Sequence, residues 1–290
     1  MDLFIKAIVL GIIQGLTEFL PVSSSAHLDL IPRMLGWGDA GVAFTAVIQL
    51  GTLLAVFVYF RKRIGQTLAG IWRALKQAPP PPGEPRTTSW EVQLLLAVCV
   101  GTIPLALLAL ALKKYIETTL REPVPVASML ILMGLALWLV EKGTEKLRER
   151  PLTAITWRDG LAVGLMQALA AIPGVSRSGS TLIGAFVRKF DRDAALEFSF
   201  LLSLPAVLLS GLFELKEVIK PKPTGVALPN TMHFSTMETL VATVVAFVVG
   251  YASIAWMLKY LAKHSTLFFV IWRVVLGVVV LTMHGMHKLP

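Results

Sequence analysis

The chain has 290 residues, 55% of them hydrophobic and only 16% charged; soluble domains carry about 25% charged residues, so an ordinary soluble enzyme is excluded. A single cysteine excludes an internal disulfide framework and any cysteine-based metal cluster. The net charge of +9 serves topology and anionic head groups in a membrane protein, and the absence of a basic stripe with interleaved aromatics excludes nucleic acid as a partner.

The first apolar stretch, about 3–35, carries GLTEFLPVSSSAH at 15–27. Lys6 is a meagre n-region, and the stretch runs on into Gln14 and Glu18 with no small-residue cleavage site, so no cleavable signal peptide is expected. A glutamate, three serines and a histidine are costly at membrane depth unless something satisfies or uses them. Irregular backbone there must be buried by protein or line a wet cavity, so two short helices meeting at LPVSSSAH, a re-entrant hairpin, is the economical reading. Spans follow near 41–60, 91–112 and 124–141, each long enough to cross about 30 Å of hydrocarbon. The PPPPGEP run at 79–85 reads as a stiff cytoplasmic connector. Cys99, within an apolar run, reads as an inert buried small residue. Residues 142–158 form a cytoplasmic linker. A second broken stretch, about 159–190, carries IPGVSRSGST, and spans near 195–215, 237–258 and 267–284 complete the chain.

The two broken stretches align without a gap. GIIQGLTEFLPVSSS (11–25) overlays GLMQALAAIPGVSRS (164–178), matching Gly11 with Gly164, Gln14 with Gln167, Ser23 with Ser176 and Ser25 with Ser178. FTAVIQLG (44–51) overlays FSFLLSLP (198–205) more weakly. Sixteen Lys and Arg fall on one side of the expected spans and nine on the other, with Arg177 and Arg273 left at membrane depth. That bias puts the first hairpin outside and the 142–158 linker inside. Three spans per repeat then invert the halves, so the two hairpin tips enter from opposite sides and meet near the midplane. The expected fold is an all-α polytopic membrane protein of two inverted-topology repeats, 1–141 and 159–290. Each is a re-entrant helical hairpin plus three transmembrane helices.

The joined tips collect Gln14, Glu18, Ser23, Ser24, Ser25 and His27 from the first, and Gln167, Gly174, Ser176, Arg177, Ser178, Gly179, Ser180 and Thr181 from the second. A PGVSRSGS loop opening a helix offers free backbone N–H groups, hydroxyl donors and the positive end of a helix dipole. Small residues also merely ease helix packing, but Arg177 has no carboxylate beside it in sequence, and an anion is the natural partner of its planar fork. Glu18 can hold a divalent cation or accept a proton. Ser24 and His27 lie at helical i, i+3 spacing, which allows a nucleophile and its proton partner, although three serines also make an ordinary helix cap. Opposed to an anion cradle, the first tip reads as phosphoryl-transfer machinery. Arg273, inside the last span, is a second buried cation for which Glu197 or Glu238 is the expected structural partner.

QGLTEFLPVSSSAH and PGVSRSGST closely resemble the two signature motifs of the bacterial undecaprenyl-diphosphatase, or bacitracin-resistance, family, and the likeness extends over essentially the whole chain. The family pattern allows Glu or Gln at the first polar position; here it is Gln14, which leaves Glu18 as the principal acid. The resemblance implies that Glu18, Ser24, His27 and Arg177 carry activity, with Ser23, Ser176 and Ser178 lining the site. It also implies a divalent cation, Mg2+ or Ca2+, at Glu18. The expected activity is hydrolysis of a polyprenyl diphosphate to the monophosphate carrier of peptidoglycan synthesis, with bacitracin resistance as a consequence. Ser24, His27 or a water can be the attacking group. The expected location is the bacterial inner membrane, with the site facing the periplasm, and the apolar faces favour a homodimer. The rival reading is a transporter or flippase for a lipid phosphate using the same midplane anion site; Ser24 and His27 favour catalysis, because transport needs no nucleophile.

Overall fold

The computed structural model describes residues 2–76, 89–219 and 231–287. They form ten α-helices and no β-strand beyond two isolated bridges. In chain order these are α1 (Leu3–Thr17), α2 (Ser24–Met34), α3 (Val42–Lys76), α4 (Trp90–Glu117), α5 (Pro123–Thr144), α6 (Trp157–Ala168), α7 (Arg177–Val187), α8 (Arg192–Ile219), α9 (Thr236–Leu261) and α10 (Leu267–Gly285). The chain is therefore an all-helical, multi-pass membrane protein. Among the described residues five helices, α3, α4, α5, α9 and α10, are long and apolar enough to cross a bilayer. The sixth expected span, 195–215, falls in α8, part of which lies outside the residues whose side chains are described. The PPPPGEP run also lies outside the described residues.

The two broken stretches each fold as a pair of short helices, α1 with α2 and α6 with α7. Neither first helix packs mainly on its own neighbours in sequence. α1 lies along α9, and α6 lies along α4. Close backbone approach makes both contacts: a Cβ on Gly11 would come 2.5 Å from the Ala242 carbonyl oxygen, and one on Gly164 would come 2.3 Å from that of Gly101. Small residues at such crossings let helices associate where lipid supplies no hydrophobic drive.

Helix ends are fixed locally. A capping box of Thr156 and Asp159 starts α6, and one of Ser235 and Glu238 starts α9. Ion pairs gather at one end of the bundle, where Arg63 meets Glu197, Arg150 and Arg188 meet Asp159, and Arg192 meets Glu141. Cys99 departs from expectation, since it is exposed on α4 rather than buried. An apolar residue on a membrane helix need not face the protein, because the outward face is apolar too.

Candidate active site

Two loops meet at the centre of the molecule, Glu18 to Ser23 between α1 and α2, and Leu169 to Ser176 between α6 and α7. Each ends in a serine at the N-cap position of the following helix, with positive φ, Ser23 at 75° and Ser176 at 72°. Such backbone is strained for a residue with a Cβ, by about 1–3 kcal/mol, and persists only where its surroundings over-determine it. The first residues past the two caps are Ser24 and Arg177. Both helices thus start at the same place, with their first-turn N–H groups lacking intrahelical acceptors and the positive ends of their dipoles there.

Glu18 joins the two loops. Its Oε1 accepts from the Arg177 guanidinium, 159 residues away in sequence. Its Oε2 accepts from the Ser24 hydroxyl at 2.7 Å and from the Gln14 amide at 3.1 Å, and that amide also donates to Thr52 at 3.2 Å. Ser178 donates to the Leu20 carbonyl at 2.9 Å, a second tie across the loops. Glu18 is buried and Arg177 half-buried. A carboxylate and a guanidinium in contact at this depth need each other, and Arg177 can exchange the carboxylate for another anion of similar geometry. Beside them opens a narrow cleft of about 20 Å³, whose far wall is α8 with Leu196, Ser199 and Phe200.

His27 does not lie where the helical spacing suggested. Trp272 Nε1–H donates to His27 Nε2 at 2.8 Å. Indole N–H can only donate, so Nε2 must accept, Nδ1 must carry the proton, and that proton goes to the Ser23 carbonyl 2.8 Å away. Both ring nitrogens are engaged, and the hydroxyl of Ser24 turns instead to Glu18. The i, i+3 contact between Ser24 and His27 is thus replaced by a bond from His27 to the backbone of the strained cap.

Arg273 also departs from expectation. Glu197 pairs with Arg63, and Glu238 is spent on the cap of α9. The fully buried guanidinium instead donates to backbone carbonyls: Leu130 at 3.0 Å and Met129 at 3.4 Å on α5, Pro21 at 3.1 Å in the first loop, and Gly174 at 2.9 Å and Val175 at 3.0 Å in the second. Loop carbonyls have no helix partner, and the five donors of one arginine fit several at once. Arg273 therefore pins both loops to the same helix, which accounts for their strained turns.

The remaining expected residues divide. Ser23 and Ser25 lie 3.2 Å apart through their hydroxyls, as do Ser176 and Ser178. Ser176 caps the Gly179 amide at 3.2 Å. A Cβ on Gly179 would come 3.1 Å from Arg273, so its small size seats the clamp. Gly174, at φ 91°, supplies one clamped carbonyl. Ser180 and Thr181 are fully buried and bond back to the Arg177 carbonyl, so they stabilise the start of α7 rather than face the cleft. Gln167 donates to the Gly101 carbonyl at 3.3 Å, away from the tips. Trp272 was not singled out in sequence, because a tryptophan in an apolar span has the look of an interface anchor.

Residues 7–279 match the family described as Bacitracin resistance protein BacA. Similar proteins named undecaprenyl-diphosphatase include one from Chloroherpeton thalassium, 45% identical over 294 residues, covering 100% of this chain and 99% of that one. Another from Myxococcus xanthus is 44% identical over 285 residues, with 98% and 90% covered. A third from Chlorobaculum tepidum is 43% identical over 296 residues, with both chains covered completely. None of these carries a transporter's name, so the rival reading finds no support among them. On this full-length likeness, the chain belongs to the bacitracin resistance protein BacA family.

Proposed function

We propose that the cleft between the two loops is the active site of a membrane phosphatase that converts undecaprenyl diphosphate to the monophosphate carrier and phosphate. The observation that carries this reading is the single carboxylate of Glu18 bonded at once to Ser24 from one loop and to Arg177 from the other. A hydroxyl held against a buried carboxylate is a nucleophile with its base, and the opposed guanidinium and helix starts form an anion cradle. The lipid tail stays in the membrane while the diphosphate enters between the loops. Arg177 leaves Glu18 for the terminal phosphate oxygens. Ser24 Oγ attacks the terminal phosphorus as its proton passes to Glu18, and the bond to the bridging oxygen breaks, releasing the lipid monophosphate. Glu18 hands that proton to the departing bridging oxygen and is a carboxylate again; water then attacks the phosphoryl group on Ser24, giving its proton to Glu18, which passes it to Ser24 Oγ as that bond breaks. Charge moves onto oxygens already faced by Arg177 and the first-turn amides, and donors placed in advance are worth about 3–4 kcal/mol each in comparable sites.

A divalent cation belongs to this reading. A magnesium-type ion is held by one or two carboxylates, waters and substrate phosphates rather than by a protein cage. The Glu18 carboxylate with the Ser24 hydroxyl beside it is an oxygen-only set that suits it. When bound, the ion would neutralise phosphate charge. His27 orients Ser23 and hence Ser24.

The inverted repeat is the architecture that best supports these roles. Equal lengths of 11 residues in α2 and α7, matched positive-φ caps and the crossed packing of α1 on α9 and α6 on α4 all favour it. With the charge bias, it opens the site toward the periplasm, where spent carrier is left.

Phosphate release from undecaprenyl diphosphate in detergent, with Mg2+ or chelator, tests the reading. Arg177→Ala and Ser24→Ala should each lose at least about a thousandfold in kcat/KM, and chelator should stop the parent. Near-normal release by Arg177→Ala refutes the cradle.

A further inference from the structure

Ser199 lies on α8, in the wall of the cleft that also holds Glu18, Arg177 and Ser178. It is 6% exposed, and its hydroxyl has no hydrogen-bond partner. Serines and threonines inside helices ordinarily return the hydroxyl to a carbonyl one turn back. Ser203, four residues on, does this with Phe200 at 2.7 Å, and Thr52 with Gln49 at 2.8 Å. Ser199 does not. Buried polar groups in native proteins are nearly always satisfied, and an orphan in a ligand cleft points to the ligand. Its neighbours in that wall are Leu196, Phe200 and Met257, which are apolar, and Ser203, whose hydroxyl is spent on the Phe200 carbonyl. The charged side chains lining the cleft are Glu18 and Arg177.

We propose that Ser199 donates its hydroxyl to the phosphate that stays on the lipid, with the apolar wall around it receiving the first isoprene units. This rests on the phosphatase reading of the same cleft. A terminal phosphorus placed at Ser24 and Arg177 leaves the second phosphate for the wall that α8 supplies. The hydroxyl then serves substrate and lipid monophosphate product alike, and inorganic phosphate not at all. Ser199 is a binding residue for the half of the diphosphate that does not react.

Ser199→Ala tests this through steady-state hydrolysis with inhibition by the two products. KM for the lipid diphosphate should rise about tenfold, as loss of one hydrogen bond to a charged group predicts, with a much smaller change in kcat. The inhibition constant of undecaprenyl monophosphate should rise by the same factor, and that of inorganic phosphate should not move. Should Ser199→Ala fail to fold, Ser199→Cys keeps the size with a poor donor, and the same shifts are expected. KM and lipid-product inhibition within twofold of the parent overturn the assignment, as does an equal shift for inorganic phosphate. If the parent itself releases no phosphate, the phosphatase reading fails first, and the two failures are distinct.

Discussion

His27 is held at both nitrogens, by the indole of Trp272 and the carbonyl of Ser23, and its tautomer follows from those partners. A ring so engaged fixes the positive-φ turn at Ser23 and, through it, the direction of Ser24. His27→Ala should therefore lower kcat by about a hundredfold, the scale of a misplaced reacting group, and leave clear residual turnover. Ser24→Ala should leave none. Equal losses in the two variants, measured as phosphate release, would make His27 a participant in the chemistry. At this scale the polar residues of the tips were legible because charge and hydroxyls at membrane depth demand a use. The partners were less so. Arg273 bonds to carbonyls, and a backbone carbonyl carries no letter in the sequence. Ser199 is one serine in an apolar helix, a pattern without a signature, and only its missing partner makes it visible.

Between elements, the decisive contacts are those of the hairpins with distant spans. The break at each Pro/Ser patch predicted a pair of short helices there, which α1 with α2 and α6 with α7 are, and the gapless overlay of 11–25 on 164–178 is the sequence signal behind the proposed repeat. That α6 would lie on α4 was not readable, since apolar helices match one another with little preference until small residues bring backbones together. Gly164→Leu would push a branched chain into a site where even a Cβ comes 2.3 Å from the Gly101 carbonyl oxygen. It should cost about 1–3 kcal/mol or more and lower both thermal stability in detergent and activity. Gly143→Ala in α5 meets nothing within 4 Å and should be neutral or slightly stabilising, so the pair separates crowding from loss of glycine. Asp159 ties α6 to the linker and the end of α7. Burial works against its charged form, but bonds from Arg150, Arg188 and Thr156 outweigh this and hold its carboxyl at about 2, below the ordinary 3.8. A lowered value stabilises the fold above pH 3.8 and is lost as pH falls through about 2. Asp159→Asn should thus destabilise by about 2 kcal/mol at pH 7, with parent and variant converging toward pH 2 in thermal unfolding.

For the whole molecule, the orientation of the cleft decides which pool of carrier it serves. The ion pairs of Arg150, Arg188 and Arg192 lie where α5 and α7 end and α6 and α8 begin, and Arg63 in the second half of α3 reaches Glu197 in the first turns of α8. That is the end to which the charge bias assigns sixteen of the 27 Lys and Arg. Cationic loops are retained in the cytoplasm, and the short connections here fall within the range where that rule operates. On the proposed topology the loop between α4 and α5, with exposed Lys114, is the outward one, and the segment after α5, with exposed Lys146, the inward one. Because Cys99 is exposed, it must first be replaced by alanine, after which Lys114→Cys and Lys146→Cys are each the sole thiol. A membrane-impermeant maleimide on intact cells should label the first and spare the second, while permeabilised cells should label both. Labelling of residue 146 alone would invert the molecule and move the Ser24 hairpin, which connects to the outer end of α3, to the cytoplasmic side. The phosphatase chemistry would survive that result, since Glu18, Ser24 and Arg177 meet whichever way the bundle is inserted, but its substrate would come from the inner leaflet.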